Sequence, residues 1–209
     1  MASTLGLLVL TFSLQTGAGA EGSNRPSALF FGDSLIGGTG ARPHSPVEPL
    51  TTAHLLGWDP VIDAFGGTGY TTGGKHGRRY LERLRRDGFL SRPYDVIVLE
   101  GGTNDAWFGS LSTLHDAAVQ TIGYVQQRQP QARIILVGGY APSGIDLERY
   151  AQMDQTLAGV ADRLGLQYVS QLHFSSPGQA GLLSRDHYHP SAAGYRVMGR
   201  ELARAIRAR

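Results

Sequence analysis

The chain has 209 residues, 41% hydrophobic and 17% charged, which is ordinary for a globular protein and long enough for one domain with a substantial core. With 19 basic residues against 17 acidic ones the net charge is only +2, far from the basic footprint of a nucleic-acid-binding protein. The absence of cysteine excludes disulfides, thiol catalysis and thiolate metal sites, without fixing a compartment.

Leu5 to Leu14 is an apolar run, too short for the ~20 residues of a membrane span. Ala18-Gly19-Ala20 follows it as a small-residue cleavage pattern. Residues 1–20 therefore read as a signal peptide, 21–26 as a linker and 27–209 as one domain, which implies a secreted or cell-envelope protein with no transmembrane segment once mature.

From Ser27 onward, short apolar runs alternate with segments of three-and-four apolar spacing. Strands are predicted at Ser27 to Phe31, Val61 to Phe65, Asp95 to Leu99, Arg133 to Val137 and Leu166 to Ser170. Helices are predicted at Val47 to Leu56, Arg79 to Leu84, Leu111 to Gln127, Leu147 to Leu164 and Ala192 to Ile206. This alternation predicts a doubly wound parallel sheet of five strands with helices on both faces, and ligands bound beyond the carboxyl ends of the strands. The cluster Lys75, Arg78, Arg79, Arg83, Arg85 and Arg86 reads as a solvated helix face.

Four motifs fall at that carboxyl edge. Gly32-Asp33-Ser34-Leu35 follows the first strand, Gly69 lies in the loop after the second, and Gly102-Thr103-Asn104-Asp105 follows the third. Asp186-His187-Tyr188-His189-Pro190 follows the last strand and precedes a helix start at Pro190-Ser191. A serine needs a base, and a histidine needs a carboxylate to fix its tautomer: Asp186, three residues before His189, can orient it toward Ser34. Attack on an ester carbonyl creates an oxyanion, for which the Ser34 and Gly69 N–H groups and the Asn104 amide are the candidate donors. Tyr70, Trp107 and Phe108 are candidates for the pocket mouth, with hydrophobic packing as the plainer alternative.

In this order the four blocks resemble the SGNH/GDSL hydrolase superfamily. The resemblance covers essentially all of Ser27 to Arg209 and implies a flavodoxin-like three-layer α/β/α sandwich. It also implies a serine esterase or lipase with Ser34 as nucleophile, Gly69 and Asn104 completing the oxyanion hole and Asp186 with His189 completing the triad. No cofactor is expected, and the expected partner is a small-molecule, lipid or carbohydrate ester. In the second block Asp63 stands where family members often carry Asn, and Gly67 is the alternative to Gly69. Some members instead pass the acyl group to a carbohydrate hydroxyl, and a silent module binding envelope polysaccharide or lipid is a more distant alternative.

Two rival readings use the same residues. Gly69 to Lys75 fits a phosphate loop, but His76 stands where Ser or Thr must hold Mg²⁺. Asp186, His187 and His189 could ligate a metal, although no other acidic or imidazole cluster is placed to complete the shell. His44, His54, His76, His115 and His173 have no motif around them.

Overall fold

The structure is a computed structural model in which residues 25–43, 45, 47–141, 146–174 and 181–208 are described. The signal-peptide assignment and His44 lie outside the described residues. Five parallel strands form one sheet: β1 (Ser27–Gly32), β2 (Asp59–Ala64), β3 (Val96–Gly101), β4 (Arg133–Gly138) and β5 (Gln167–Val169). Their order is β2-β1-β3-β4-β5, so the winding reverses between β1 and β3. In a doubly wound sheet that reversal opens a crevice at the carboxyl edge.

Each predicted strand is present, with shifts of one or two residues at its ends. One of the two-residue shifts is in β2, which begins at Asp59 and takes in Pro60. A proline lacks the N–H for a second neighbour, and β2 can accept one because it is an edge strand paired to β1 alone.

The helices are α1 (Glu48–Leu56), α2 (Tyr80–Arg86), α3 (Thr103–Phe108), α4 (Leu114–Arg128), α5 (Leu147–Arg163) and α6 (Ala192–Arg207). Side chains of α1 and α6 close one face of the sheet, where Ala53, Leu202 and Ile206 pack on Phe30, Val98 and Ile135. Leu84 of α2, Ile122 of α4 and Leu157 of α5 close the other, against Phe31, Leu99 and Leu136. The alternation of Phe30 and Phe31 between the two cores is the two-residue period of a strand buried on both sides.

Of the helices, α3 is absent from the sequence reading. It spans only six residues, and its start depends on Gly102, whose φ of 117° lies where L side chains rarely go. A β-carbon there would also collide with Met153 and Leu157 of α5. This turn places Asn104 in the first helical turn, directly beyond β3.

Arg83 departs from the expected solvated face. It is 2% exposed and reaches under the sheet edge, where Nη2 pairs with Asp63 Oδ1 at 2.6 Å and Nη1 donates to Gly32 O at 2.7 Å and Thr68 Oγ1 at 2.9 Å. Its guanidinium also stacks 4.3 Å from the Phe31 ring centroid. A buried cation needs this full set of partners to offset its lost hydration.

A second buried polar group lies beneath the α1 side. Gln171 Nε2 donates to Glu48 Oε1 at 2.6 Å and to Glu100 Oε2 at 3.3 Å, while the other oxygens of both carboxyls have no partner. Burial pushes both pKa values up, that of Glu48 to about 8. Between the ordinary 4.5 and about 8 the unfolded chain releases a proton from Glu48 that the fold retains. Each such proton removes about 1.4 kcal/mol of stability per pH unit of rise. The melting temperature is therefore expected to fall from pH 5 to pH 8.5, and to fall less in Glu48→Gln. Equal losses in the two proteins, followed by thermal unfolding at both pH values, would count against this account.

Candidate active site

Ser34 sits in the turn that leaves β1. Gly37 N donates to Asp33 O at 3.1 Å and Thr39 N to Ser34 O at 2.9 Å, which closes the turn. Asp33 is buried, its Oδ1 accepting from Leu35 N and its Oδ2 from Asn104 Nδ2, both at 2.8 Å. Burial pushes its pKa up to about 7, against the opposing pull of the Leu35 N–H, the Arg83 charge and the Asn104 amide. The Asp33 carboxyl thus joins the turn after β1 to the helix after β3.

Asp105 does the same for the loop after β2. It is fully buried and accepts from Tyr70 N at 3.1 Å, Thr71 N at 2.6 Å and Thr71 Oγ1 at 2.7 Å. Burial raises its pKa too, opposed by these bonds from Thr71 and Tyr70. The loop doubles back as a tight hairpin, with an antiparallel bridge between Thr68 and Gly73. That hairpin is followed by a single 3₁₀ turn at Gly74–His76, which is unlike the helix that follows a phosphate loop.

The hairpin corrects two assignments. Gly69 donates its N–H to Thr72 O at 2.8 Å, so that donor is already used, and its missing side chain makes room for the Asp105 carboxylate. Gly66 and Gly67 instead line the cavity that holds Ser34, and among the described residues no acceptor faces the N–H of Gly67 or of Ser34. Tyr70 is buried, its ring 5.0 Å from that of Tyr80, and lies in the core and not at a pocket mouth.

Asp186 and His189 occupy a loop closed on itself by an antiparallel bridge between Leu183 and Pro190 and by the bond from Ser184 N to His189 O at 2.8 Å. Ser191 caps α6 by accepting from Gly194 N, as the Pro190-Ser191 pattern led one to expect. His187 turns the chain with φ 56°. Both Tyr188 N and His189 N then reach Asp186 Oδ1 at 2.9 Å, and Ser184 Oγ reaches it at 2.6 Å. Burial pushes the Asp186 pKa up, but the Ser184, His189 and backbone bonds outweigh it and hold the group well below the usual carboxylate range.

The remaining Asp186 oxygen, Oδ2, is 2.7 Å from His189 Nδ1, and His189 Nε2 is 3.0 Å from Ser34 Oγ. An ionised carboxylate only accepts, so the proton resides on Nδ1 and Nε2 presents its lone pair to the serine hydroxyl. The ring is further held by Tyr188, edge-on at 4.8 Å, which in turn meets Trp107 edge-on at 5.3 Å. Tyr188 stands inside the Asp186–Pro190 motif, but its place against His189 depends on the turn at His187, which periodicity does not reveal.

Ser34 and His189 face a cavity of about 890 Å³ whose apolar wall includes Phe65, Trp107, Phe108 and Tyr188. Trp107 is 44% exposed and Phe108 70%, and both lie on the wall of this cavity. Asn104 also lines the cavity, with Nδ2 shared between Asp33 Oδ2 and Thr68 O, the latter at 3.0 Å. The structure thus gathers Ser34, Asn104, Asp186 and His189 and leaves Gly69 and Tyr70 behind the cavity wall. No group of three or more metal-ligating side chains occurs among the described residues.

The model of the GDSL-like lipase/acylhydrolase family matches residues 30–197. No curated protein matches the chain in sequence. Among solved structures, a carbohydrate esterase family 2 enzyme with a carbohydrate-binding domain from Corynascus thermopiles (Myceliophthora fergusii) is similar, with TM-score 0.72 and 20% identity over 91% of this chain and 68% of that one. A family two carbohydrate esterase from Clostridium thermocellum, in complex with cellohexaose, gives TM-score 0.70 and 23% identity over 91% and 66%. A salicylyl-acyltransferase from a tetracycline biosynthetic pathway gives 0.71 and 20% over 90% and 56%. At these identities the likeness is one of fold.

If Gly69 is structural, Gly69→Ala drives a methyl group into the Asp105 carboxylate and loosens the hairpin. A loss of about 1 to 3 kcal/mol in unfolding free energy is expected, measured by denaturant melts. A variant as stable as wild type would show that Asp105 can move aside.

Proposed function

The chain belongs to the GDSL-like lipase/acylhydrolase family, and from that premise we propose that it is a serine ester hydrolase acting through an acyl-enzyme on Ser34. The observation that carries the reading is the continuous chain from Asp186 Oδ2 to His189 Nδ1 at 2.7 Å and from Nε2 to Ser34 Oγ at 3.0 Å, on the wall of the 890 Å³ cavity.

In this reading Ser34 Oγ attacks the ester carbonyl while His189 Nε2 takes the hydroxyl proton, and Asp186 stabilises the imidazolium that forms. The carbonyl oxygen becomes an oxyanion held by the N–H groups of Ser34 and Gly67 and by Asn104 Nδ2. Asn104 keeps its bond to Asp33 and exchanges the Thr68 carbonyl for the oxyanion. The intermediate collapses, His189 returns the proton to the departing alkoxide, and the acyl group remains on Ser34. Water, deprotonated by His189, then attacks the acyl-enzyme; the carboxylic acid leaves and Ser34 regains its proton.

The aromatic wall suits an acyl chain or the face of a sugar ring. Two of the structural neighbours are carbohydrate esterases, which supports acylated carbohydrate as one substrate class for trial. Transfer to a carbohydrate hydroxyl shares every step as far as the acyl-enzyme and differs only in the second nucleophile. A neighbour of the same fold is an acyltransferase, and acceptor-dependent product formation distinguishes the two outcomes.

Ser34→Ala is expected to lower turnover of a short p-nitrophenyl ester by about 10⁴-fold or more while the fold survives, as followed by circular dichroism. Turnover like that of wild type would overturn the reading. Asn104→Ala is expected to lower kcat by about 10² to 10³. It is also expected to lower the melting temperature, because Asp33 Oδ2 is left without its donor.

A further inference from the structure

The cavity beside Ser34 contains one cationic side chain, Lys75, and no acidic residue among those that line it. Lys75 is exposed and takes part in none of the ion pairs formed among the described residues. It is also the only lysine in the chain. Acidic residues close to it in the chain are paired with arginines, Asp63 with Arg83, Glu82 with Arg79 and Asp87 with Arg78, and those around the cavity are bonded to other groups, Asp33 to Asn104, Asp105 to the backbone of Tyr70 and Thr71, and Asp186 to His189.

The backbone that carries Lys75 is tied to the oxyanion side of the site. Gly74 packs so closely on Gly66 O and on Gly67 that a β-carbon at 74 would lie 2.9 Å from the Gly66 oxygen and 3.1 Å from Gly67. The segment is closed on both sides by the bonds from Gly69 N to Thr72 O at 2.8 Å and from Arg78 N to Gly73 O at 3.1 Å. The backbone of Lys75 is thereby fixed one residue beyond the contact with Gly66 and Gly67, and its side chain lines a cavity whose other walls are largely apolar.

We propose that Lys75 is a specificity-determining residue that selects esters bearing a carboxylate elsewhere in the molecule. The inference rests on the ester-hydrolase reading of the site. The carboxylate can belong to the acyl part or to the alcohol part, since either can extend along the cavity from Ser34. An unpaired ammonium at the wall attracts such a group in both cases, and in both cases the attraction weakens with salt.

Two matched pairs of esters separate these sources. Mono-4-nitrophenyl adipate and its methyl ester place the charge on the acyl side; 4-acetoxybenzoate and 4-acetoxybenzamide place it on the alcohol side. The quantity read is the ratio of kcat/KM for the charged and neutral members of each pair. In Lys75→Met this ratio is expected to fall by about three- to fivefold in at least one pair, in line with an exposed ion pair. Lys75→Arg is expected to keep the ratio, and about 0.5 M NaCl to compress it in wild type. An unchanged ratio in Lys75→Met for both pairs overturns the role of Lys75, even if both rates drop together. Failure of the wild-type protein to hydrolyse any of the four esters overturns the ester-hydrolase reading itself.

Discussion

The hydrogen bond from Asn104 to the buried Asp33 carboxyl fixes the geometry on which everything else at this sheet edge depends. It spans the point where the sheet reverses its winding, and so joins two loops that no strand pairing connects beyond β1 and β3. Burial disfavours an ionised carboxyl, as the raised pKa records, and the two donors that meet Asp33 compensate for part of that loss. Because the group cannot be rehydrated where it lies, the turn carrying Ser34 and the helix carrying Asn104 are held in one relative position.

Asp105 and Arg83 extend the same principle to the third loop. Asp105 gathers the backbone of Tyr70 and Thr71, and Arg83 grips Gly32 O and Thr68 Oγ1 from below. Three loops that are far apart in sequence are therefore positioned by buried titratable groups, each surrounded by donors or acceptors, under a site whose own polar groups remain accessible to a ligand.

This division explains what the sequence made legible. The strands were readable because β-branched runs bounded by glycine and polar residues have few other uses, and the order of the four motifs followed from them. Ser34, Asn104, Asp186 and His189 were readable because each sits in a block with a distinctive neighbour. Gly69 was not, since three glycines fall within four residues and the bond that decides between them, from Gly69 N to Thr72 O, exists only once the hairpin has closed. Arg83 escaped for a related reason: a run of arginines at helical spacing looks solvated until one knows which of them points at a carboxylate in the preceding strand. Helix α3 escaped because six residues carry too little periodicity, and because its origin at Gly102 is set by the side chains of α5.

The loop from Leu182 to Ser191 is held mainly by hydrogen bonds among its own residues. Its bridge, its turn at His187 and the three donors on Asp186 Oδ1 all lie within ten residues of chain, and its footing is the cap of α6. Asp186 and His189 consequently form a unit prefabricated by its own loop, with Nε2 to Ser34 Oγ as the hydrogen bond that joins it to the turn after β1. The alignment of Asp186 on His189 therefore depends on bonds made inside the loop, while the distance of His189 from Ser34 depends on how the loop packs on its neighbours, through Tyr188 against Trp107 and through Gly40 against Ser184 and His189.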